Sequence, residues 1–197
     1  MRTLLIYAHP VPTSFNAAVF DVVKTALVDA GHELRVTDLY AEGFDPVLTR
    51  EDREAYLSDT KSLIEKVPEH VENLRWAEAL VFVFPTWYYG PPAILKGWFE
   101  RVWLSGVTFE VAQQRGQTTS SKIKNIRRLT VITTSGSPAW WMLLIGNPCK
   151  RLFTRGLRVL FHPRCKTTWM QLYEMNVIGE KERKKFLEKV KHKISRM

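Results

Sequence analysis

Cysteine is nearly absent from this chain. The two present, Cys149 and Cys165, are spaced as neither a metal-ligand pair nor a redox pair. So few exclude a disulfide framework and point to a reducing, cytoplasmic setting. No apolar run reaches the ~18 residues that a membrane-spanning helix needs. The opening Thr3-Leu4-Leu5-Ile6-Tyr7-Ala8 is too short for a secretory signal's apolar region plus its cleavage site. Neither GxGxxG nor GxxxxGK followed by Ser or Thr occurs, so a nicotinamide dinucleotide held in Rossmann fashion is not expected. HExxH and CxxC are missing as well, and with them any signature of a catalytic metal. No internal repeat, low-complexity stretch or linker divides the 197 residues, which read as a single domain spanning 1–197.

What is present is an ordinary globular balance, 45% hydrophobic and 25% charged, with seven tryptophans, several of them in candidate site loops. The formal net charge is +9, and residues 181–197, with eight Lys/Arg against two Glu, hold +6 of it. The excess belongs to one basic helix at about 179–195. That helix reads either as a solvated face or as a surface that attracts an anionic cofactor, membrane or partner, so peripheral docking on a lipid surface stays open. No nucleic-acid-binding motif accompanies it, and nucleic acid is not an expected partner.

Hydrophobic patterning alternates strands with helices. Strands are expected at 3–8, 33–40, 80–84 and 129–134, with a last one at 159–161, at 166–172, or at both as one bent element. The second strand alternates polar and apolar residues, as a half-buried edge strand would. Helices are expected at 15–30, 51–66, 69–77 and 92–104, then from 139 to about 156, and finally at 179–195. Residues 105–125 read as an exposed loop. This order predicts an α/β fold: a doubly wound, five-stranded parallel sheet with helices on both faces.

The chemistry is expected in the loops that leave the carboxyl ends of three strands, where open α/β sheets bind planar ligands. The first, His9-Pro10-Val11-Pro12-Thr13-Ser14-Phe15-Asn16-Ala17, runs into a helix. Its Ser14 can cap that helix or, with the first-turn N–H groups, meet a phosphate. His9 reads equally as a phosphate contact or as a satisfied histidine at a strand end. The second loop carries Trp87, Tyr88 and Tyr89 between Pro85-Thr86 and Gly90-Pro91-Pro92. Three consecutive aromatics cannot all face one core, and they offer flat faces with polar tips to a planar ring such as an isoalloxazine. The third loop, Thr133-Thr134-Ser135-Gly136-Ser137-Pro138, has small residues and hydroxyls that permit close backbone approach to a ring and supply N–H donors for its carbonyls.

These segments resemble the flavodoxin-like NAD(P)H:quinone oxidoreductases, a family that includes mammalian-type quinone reductases, modulator-of-drug-activity reductases and ancillary flavoproteins of potassium efflux systems. The resemblance covers roughly 3–175. It rests on His9-Pro10 with Ser14-Phe15-Asn16, on Phe44-Asp45-Pro46-Val47-Leu48, on Pro85 through Arg101, and on Thr133-Thr134-Ser135-Gly136. It implies that Ser14, Phe15, Asn16 and Ala17, with His9 nearby, hold the flavin phosphate. It also implies that Pro85, Thr86, Trp87, Tyr88 and Tyr89 line the isoalloxazine, and that Thr133, Thr134, Ser135 and Gly136 meet its polar edge. The implied activity is ping-pong hydride transfer from NAD(P)H through the flavin to a quinone or similar acceptor. The alternative is a regulatory flavin-binding subunit of an ion-efflux system.

FMN is favoured over FAD, because the chain is short and segments 40–70 and 105–125 show no adenine-binding signature. The resemblance further implies a homodimer, with Trp98, Trp103, Trp140 and Trp141 as exposed interface aromatics. The family's Tyr and His beyond the third loop fall at Trp141 and Asn147. Those two are candidate pocket residues, and neither delivers a proton as His does.

Overall fold

The computed structural model describes all 197 residues. Five strands form one parallel sheet: β1 (Arg2–Tyr7), β2 (Glu33–Asp38), β3 (Ala79–Pro85), β6 (Arg128–Thr134) and β7 (Lys166–Leu172), in the order β2-β1-β3-β6-β7. The order reverses between β1 and β3, so the carboxyl ends of these strands flank a crevice. The all-parallel α/β architecture expected from the patterning is present.

Alternation along the strands builds two cores. Leu4, Ile6, Leu80, Phe82, Phe84, Leu129 and Val131 face one side, where α4 (Pro68–Trp76) and α5 (Ala93–Val102) pack. Leu5, Tyr7, Val81, Val83 and Ile132 face the other, against α1 (Phe15–Asp29) and α8 (Glu180–Ile194). β3 is buried along its whole length, as the central strand of a sheet covered on both faces must be. In α8, Phe186, Val190 and Ile194 recur at helical spacing and turn inward, which leaves the lysines outside.

Several sequence expectations change. Residues 51–66 form two helices, α2 (Arg50–Ala55) and α3 (Thr60–Lys66), because Asp59 caps a new start by accepting from the Ser62 N–H. The buried Asp52 carboxylate closes a capping box with Thr49 and pairs with Lys66, which ties the two pieces together. The 105–125 segment is not a simple exposed loop. It contains a small antiparallel ladder, β4 (Phe109–Glu110) with β5 (Ser120–Ser121), and it buries Val107, Thr108 and Ile123. Residues 139–160 break into α6 (Ala139–Leu144), α7 (Pro148–Arg151), a π-helical turn at Leu152–Leu157 and a 3₁₀ turn at Arg158–Leu160. Val159 and Leu160 are therefore helical, and the fifth strand is 166–172 alone.

Trp98 and Trp103 are not exposed interface residues: they are 0% and 5% accessible. The inward face of α5 sets Trp98 and Phe99 against Phe82, and Trp103 meets Phe99 edge-on at 5.0 Å between centroids. Edge-to-face pairs of this kind add stability beyond area burial, so these rings belong to the core.

The cysteines are buried and unpaired. Burial pushes the Cys149 thiol up to about 12, and burial also raises Cys165. Because the folded state keeps the Cys149 proton above its ordinary value of 9.0, this group's contribution to stability is full below that value. It fades as pH climbs from about 9 toward 12. At pH 8 a thiol-reactive disulfide reagent is expected to leave Cys149 unmodified in the native protein and to titrate both thiols after unfolding in guanidinium. Rapid stoichiometric reaction of native Cys149 would contradict the burial.

Candidate functional site

Loop one is held by its own polar groups. Ser14 is the N-cap of α1: its Oγ accepts from the Ala17 N–H at 3.1 Å. Caps of this kind satisfy one of the orphan first-turn donors and leave others aimed outward at the positive end of the helix dipole. No acidic side chain occupies that first turn. His9 Nδ1 accepts from the Val11 N–H at 3.0 Å, which bends the loop back on itself. Burial lowers the His9 pKa. The ring is neutral at pH 7, with its proton on Nε2 because Nδ1 is an acceptor.

Asn16 bridges loop one to loop three. It is 5% accessible, and its Nδ2 donates to Thr134 Oγ1 at 3.0 Å, while its Oδ1 is buried without a partner. An unpaired buried acceptor in a cleft requires an explanation, and a bound hydroxyl or N–H donor would supply one.

Loop two is a tight turn. Trp87 and Gly90 exchange both backbone hydrogen bonds, at 3.0 and 2.9 Å. The two residues between them, Tyr88 and Tyr89, have φ of 46° and 64°. Positive φ at both central positions is what a type I′ hairpin turn requires, and side chains other than Gly, Asn or Asp adopt it at a cost. The tip is clasped from α6, where Trp141 Nε1 donates to Tyr89 Oη at 3.1 Å. Thr86 joins loops two and three: its N–H donates to Thr134 O at 2.7 Å, and its hydroxyl pairs with that of Thr133 at 2.9 Å.

Loop three is anchored from β7. Ser135 N donates to Leu172 O at 2.8 Å, and Gln171 Nε2 donates to Ser135 Oγ at 3.0 Å. Gln171 Oε1 in turn accepts from Trp169 Nε1 and Asn147 Nδ2, at 3.1 and 3.3 Å. This network contains no titratable group. Gln171→Leu removes the acceptor of two N–H donors and one of the two partners of the Ser135 hydroxyl, which still donates to Ser137 O. It is expected to cost about 2–3 kcal/mol, read as a lower midpoint in urea at unchanged m-value. A cost below ~0.5 kcal/mol would mean the network is not coupled to stability.

Two adjoining cavities result. One, of about 290 Å³, lies between the aromatic tip and loop three and is lined by Thr86, Trp87, Tyr88, Tyr89, Ser135 and Gly136 together with Ser137 and Met142. The other, of about 330 Å³, reaches from loop three to the start of α1 and is lined by His9, Ser14, Phe15, Asn16, Pro85 and Thr134 among others. They share Thr86, Trp87, Ser135 and Gly136. Thr133 lies beneath rather than in them, fully buried. Ala17 faces a third cavity on the far side of loop one. Trp141 stands behind the aromatic tip. Asn147 takes a left-handed conformation, φ 43°, caps α7 and is bonded to Gln171, and neither residue lines either of these two cavities. Ser137 of the third loop lines the cleft, and so do Met142, Met175 and Asn176, which the sequence did not single out. Met175-Asn176 follow β7, and applying the carboxyl-edge rule to the fifth strand as well would have found them.

The Phe44–Leu48 motif and the α5 half of the Pro85–Arg101 motif lie away from the cleft and have a packing role. Gly97 of α5 lets Pro46 approach so closely that a Cβ would meet Pro46 O at 2.2 Å. Arg101 donates to Asp45 O at 2.6 Å, and its guanidinium lies 5.7 Å from the centre of the Phe44 ring.

The profile of the flavodoxin-like fold family matches residues 1–148, and the chain belongs to that family. It is 34% identical over 157 residues to NAD(P)H dehydrogenase (quinone) 1 of Cavia porcellus, a match covering 72% of this chain and 56% of the relative. It is 32% identical over 151 residues to ribosyldihydronicotinamide dehydrogenase (quinone) of Rattus norvegicus, covering 69% of this chain and 64% of that one. The chain thus spans a little over half of these relatives' length. Among solved structures, Smu.1420 of Streptococcus mutans superposes with a TM-score of 0.85 at 29% identity over 100% of both chains. The NAD(P)H:quinone oxidoreductase of Methanothermobacter marburgensis does so with a TM-score of 0.83 at 26% identity, covering 99% of this chain and 98% of the other.

Proposed function

We propose that this protein is a flavin-dependent NAD(P)H oxidoreductase that reduces a quinone or a similar acceptor, working as a homodimer with FMN as its flavin. The observation that carries the reading is the convergence of three strand-end loops on two joined cavities, one capped by a helix N-terminus free of carboxylates and the other walled by Trp87 and Tyr89. The named activities of the relatives support the same class.

The residues fit the group. The first turn of α1 and the neutral His9 would receive the phosphate. Asn16 Oδ1, unpaired and buried, would accept from a ribityl hydroxyl. Gly136 would present its backbone N–H to the ring's carbonyl edge, with the neighbouring Ser135 hydroxyl held by Gln171. Bound flavin would supply two-electron redox chemistry, with NAD(P)H as co-substrate. The aromatic tip would limit water over the ring and leave one open face for the two substrates in turn. No acid or base side chain lines the ring-side cavity except the phenols of Tyr88 and Tyr89. A proton required by the acceptor would come from solvent or from these phenols.

FMN is preferred on size: the two cavities are compact, about 290 and 330 Å³. A dimer is supported by the apolar rim of the cleft, where Tyr88 is fully exposed and Trp140, Leu143 and Leu144 are 66%, 80% and 70% accessible. The test is to purify the protein, add FMN or FAD, and measure NAD(P)H oxidation with a panel of quinones while recording mass by light scattering. Expected are FMN uptake, quinone-dependent turnover and a dimer. A folded protein that takes up neither flavin would end the proposal.

A further inference from the structure

The second half of α8 is a run of cations. From Lys189 to Met197 the chain carries Lys189, Lys191, Lys193 and Arg196, and no acidic side chain. All four are exposed. The one ion pair on this helix joins Lys184 to Glu180, at its start. The helix dipole favours cations in the last turn, which accounts for one or two of the four and not for the run.

A second, independent observation comes from the sheet. The end of α8 reaches the amino ends of β6 and β7, where Thr130 Oγ1 donates to Met197 Sδ at 3.5 Å. Arg128 opens β6, Lys166 opens β7, and the register sets the two side by side. By alternation they share the sheet face of Thr130, Ile132 and Met170, the face that α8 covers. Arg164, in the turn before β7, is exposed beside them. None of these cations takes part in an ion pair anywhere in the molecule. Like charges held on neighbouring strands repel, and the fold supplies no carboxylate to relieve them.

The surroundings of these cations select the partner. Every exposed aromatic ring belongs to the aromatic tip or to α6, at the cleft, so this face offers bases nothing to stack on. None of the large exposed apolar side chains comes from α8, from the turn before β7 or from the start of β6. An acidic protein partner would need such side chains, because protein interfaces are anchored on a buried apolar core. What is left is a broad surface of charge alone, the complement of the diffuse negative layer over anionic lipid.

We propose that the face built by the second half of α8 and the starts of β6 and β7 docks the protein on an anionic phospholipid surface. The long lysine and arginine side chains reach the headgroups, and no segment inserts. The three loops of the cleft lie at the opposite, carboxyl edge of the sheet, so the docked protein keeps both cavities open.

The probe is a phosphatidylcholine vesicle with or without about 30% phosphatidylserine, sedimented with the full chain at low salt, in the presence and absence of FMN. Binding at least tenfold tighter to the serine-containing vesicles is expected, the same with and without FMN because the face is remote from the cleft. Release is expected at about 0.5 M salt, where the Debye length falls to a few ångströms. Each cation near such a surface contributes about fivefold in affinity. Lys189→Gln combined with Lys193→Gln is therefore expected to weaken binding about 25-fold, and Lys166→Gln about fivefold. All three lysines are exposed and glutamine is a good helix former, so the melting temperature is expected to hold. Lys61→Gln, on α3 across the sheet, is expected to change binding less than twofold. Equal binding to the two vesicle types overturns the proposal, as does retention at high salt or an equal loss in Lys61→Gln. Tighter binding to a short DNA duplex than to the anionic vesicles at the same salt would overturn it in favour of nucleic acid.

Discussion

Ser14→Asp is expected to give a fully folded protein that no longer retains flavin. Aspartate is as good an N-cap as serine, so α1 keeps its start and the fold keeps its stability. What changes is the sign of the charge where a phosphate would sit. Two like charges some 4–5 Å apart at a partly open surface repel by about 2–4 kcal/mol, which weakens binding ~30- to 1,000-fold. Ser14→Asn caps equally well without the charge and is expected to hold flavin within a few-fold of the natural chain. The measurement is the flavin-to-protein absorbance ratio after gel filtration, with the melting temperature as a control for folding. A Ser14→Asp protein that elutes fully yellow would move the phosphate away from the start of α1 and take the assignment of loop one with it.

The largest expected loss of stability lies far from the cleft, at Gly97. An alanine there would place its Cβ 2.2 Å from Pro46 O and 2.6 Å from Pro46 Cα. Those are backbone atoms and cannot rotate aside. Either α5 must move off the sheet or the 44–48 segment must move off α5. Overpacking of this kind costs about 3 kcal/mol, which for a chain of this size is a fall of roughly 6–12 °C in melting temperature. Gly116, a loop glycine, has open space around its Cβ position, though φ is +86°. Its replacement by Asn, which tolerates that conformation, is expected to shift the midpoint by no more than ~2 °C. Equal effects at both sites would show that the close approach of α5 to Pro46 is not what fixes this packing.

The sheet was legible because buried parallel strands cannot be written in any other way. Leu80-Val81-Phe82-Val83-Phe84 is apolar on both faces, and helices must then cover both. The edge position of β2 followed from its alternation in the same manner. The cleft was legible to the extent that it depends on strand ends: His9, Ser14, Asn16, Trp87 and Ser135 come together because each stands just beyond a strand in a parallel sheet. The polar support beneath it was not legible. Gln171 lies within a strand whose pattern gives no sign that its amide joins Ser135, Trp169 and Asn147, because that network depends on the register of β6 against β7. The tryptophans misled for a related reason. Trp98 and Trp140 look alike as letters, and only the facing of α5 and α6 sends one into the core and leaves the other in solvent.

By itself, then, the order of residues determined the alternation of elements, the parallel sheet and the edge at which chemistry gathers, since all three follow from local periodicity and from the handedness of the chain. The tertiary structure alone decided what each cavity wall is made of. The unpaired Asn16 oxygen and the clasp of Trp141 on Tyr89 both depend on distances between segments remote in sequence. Such distances are set by packing, and periodicity along the chain carries no record of them.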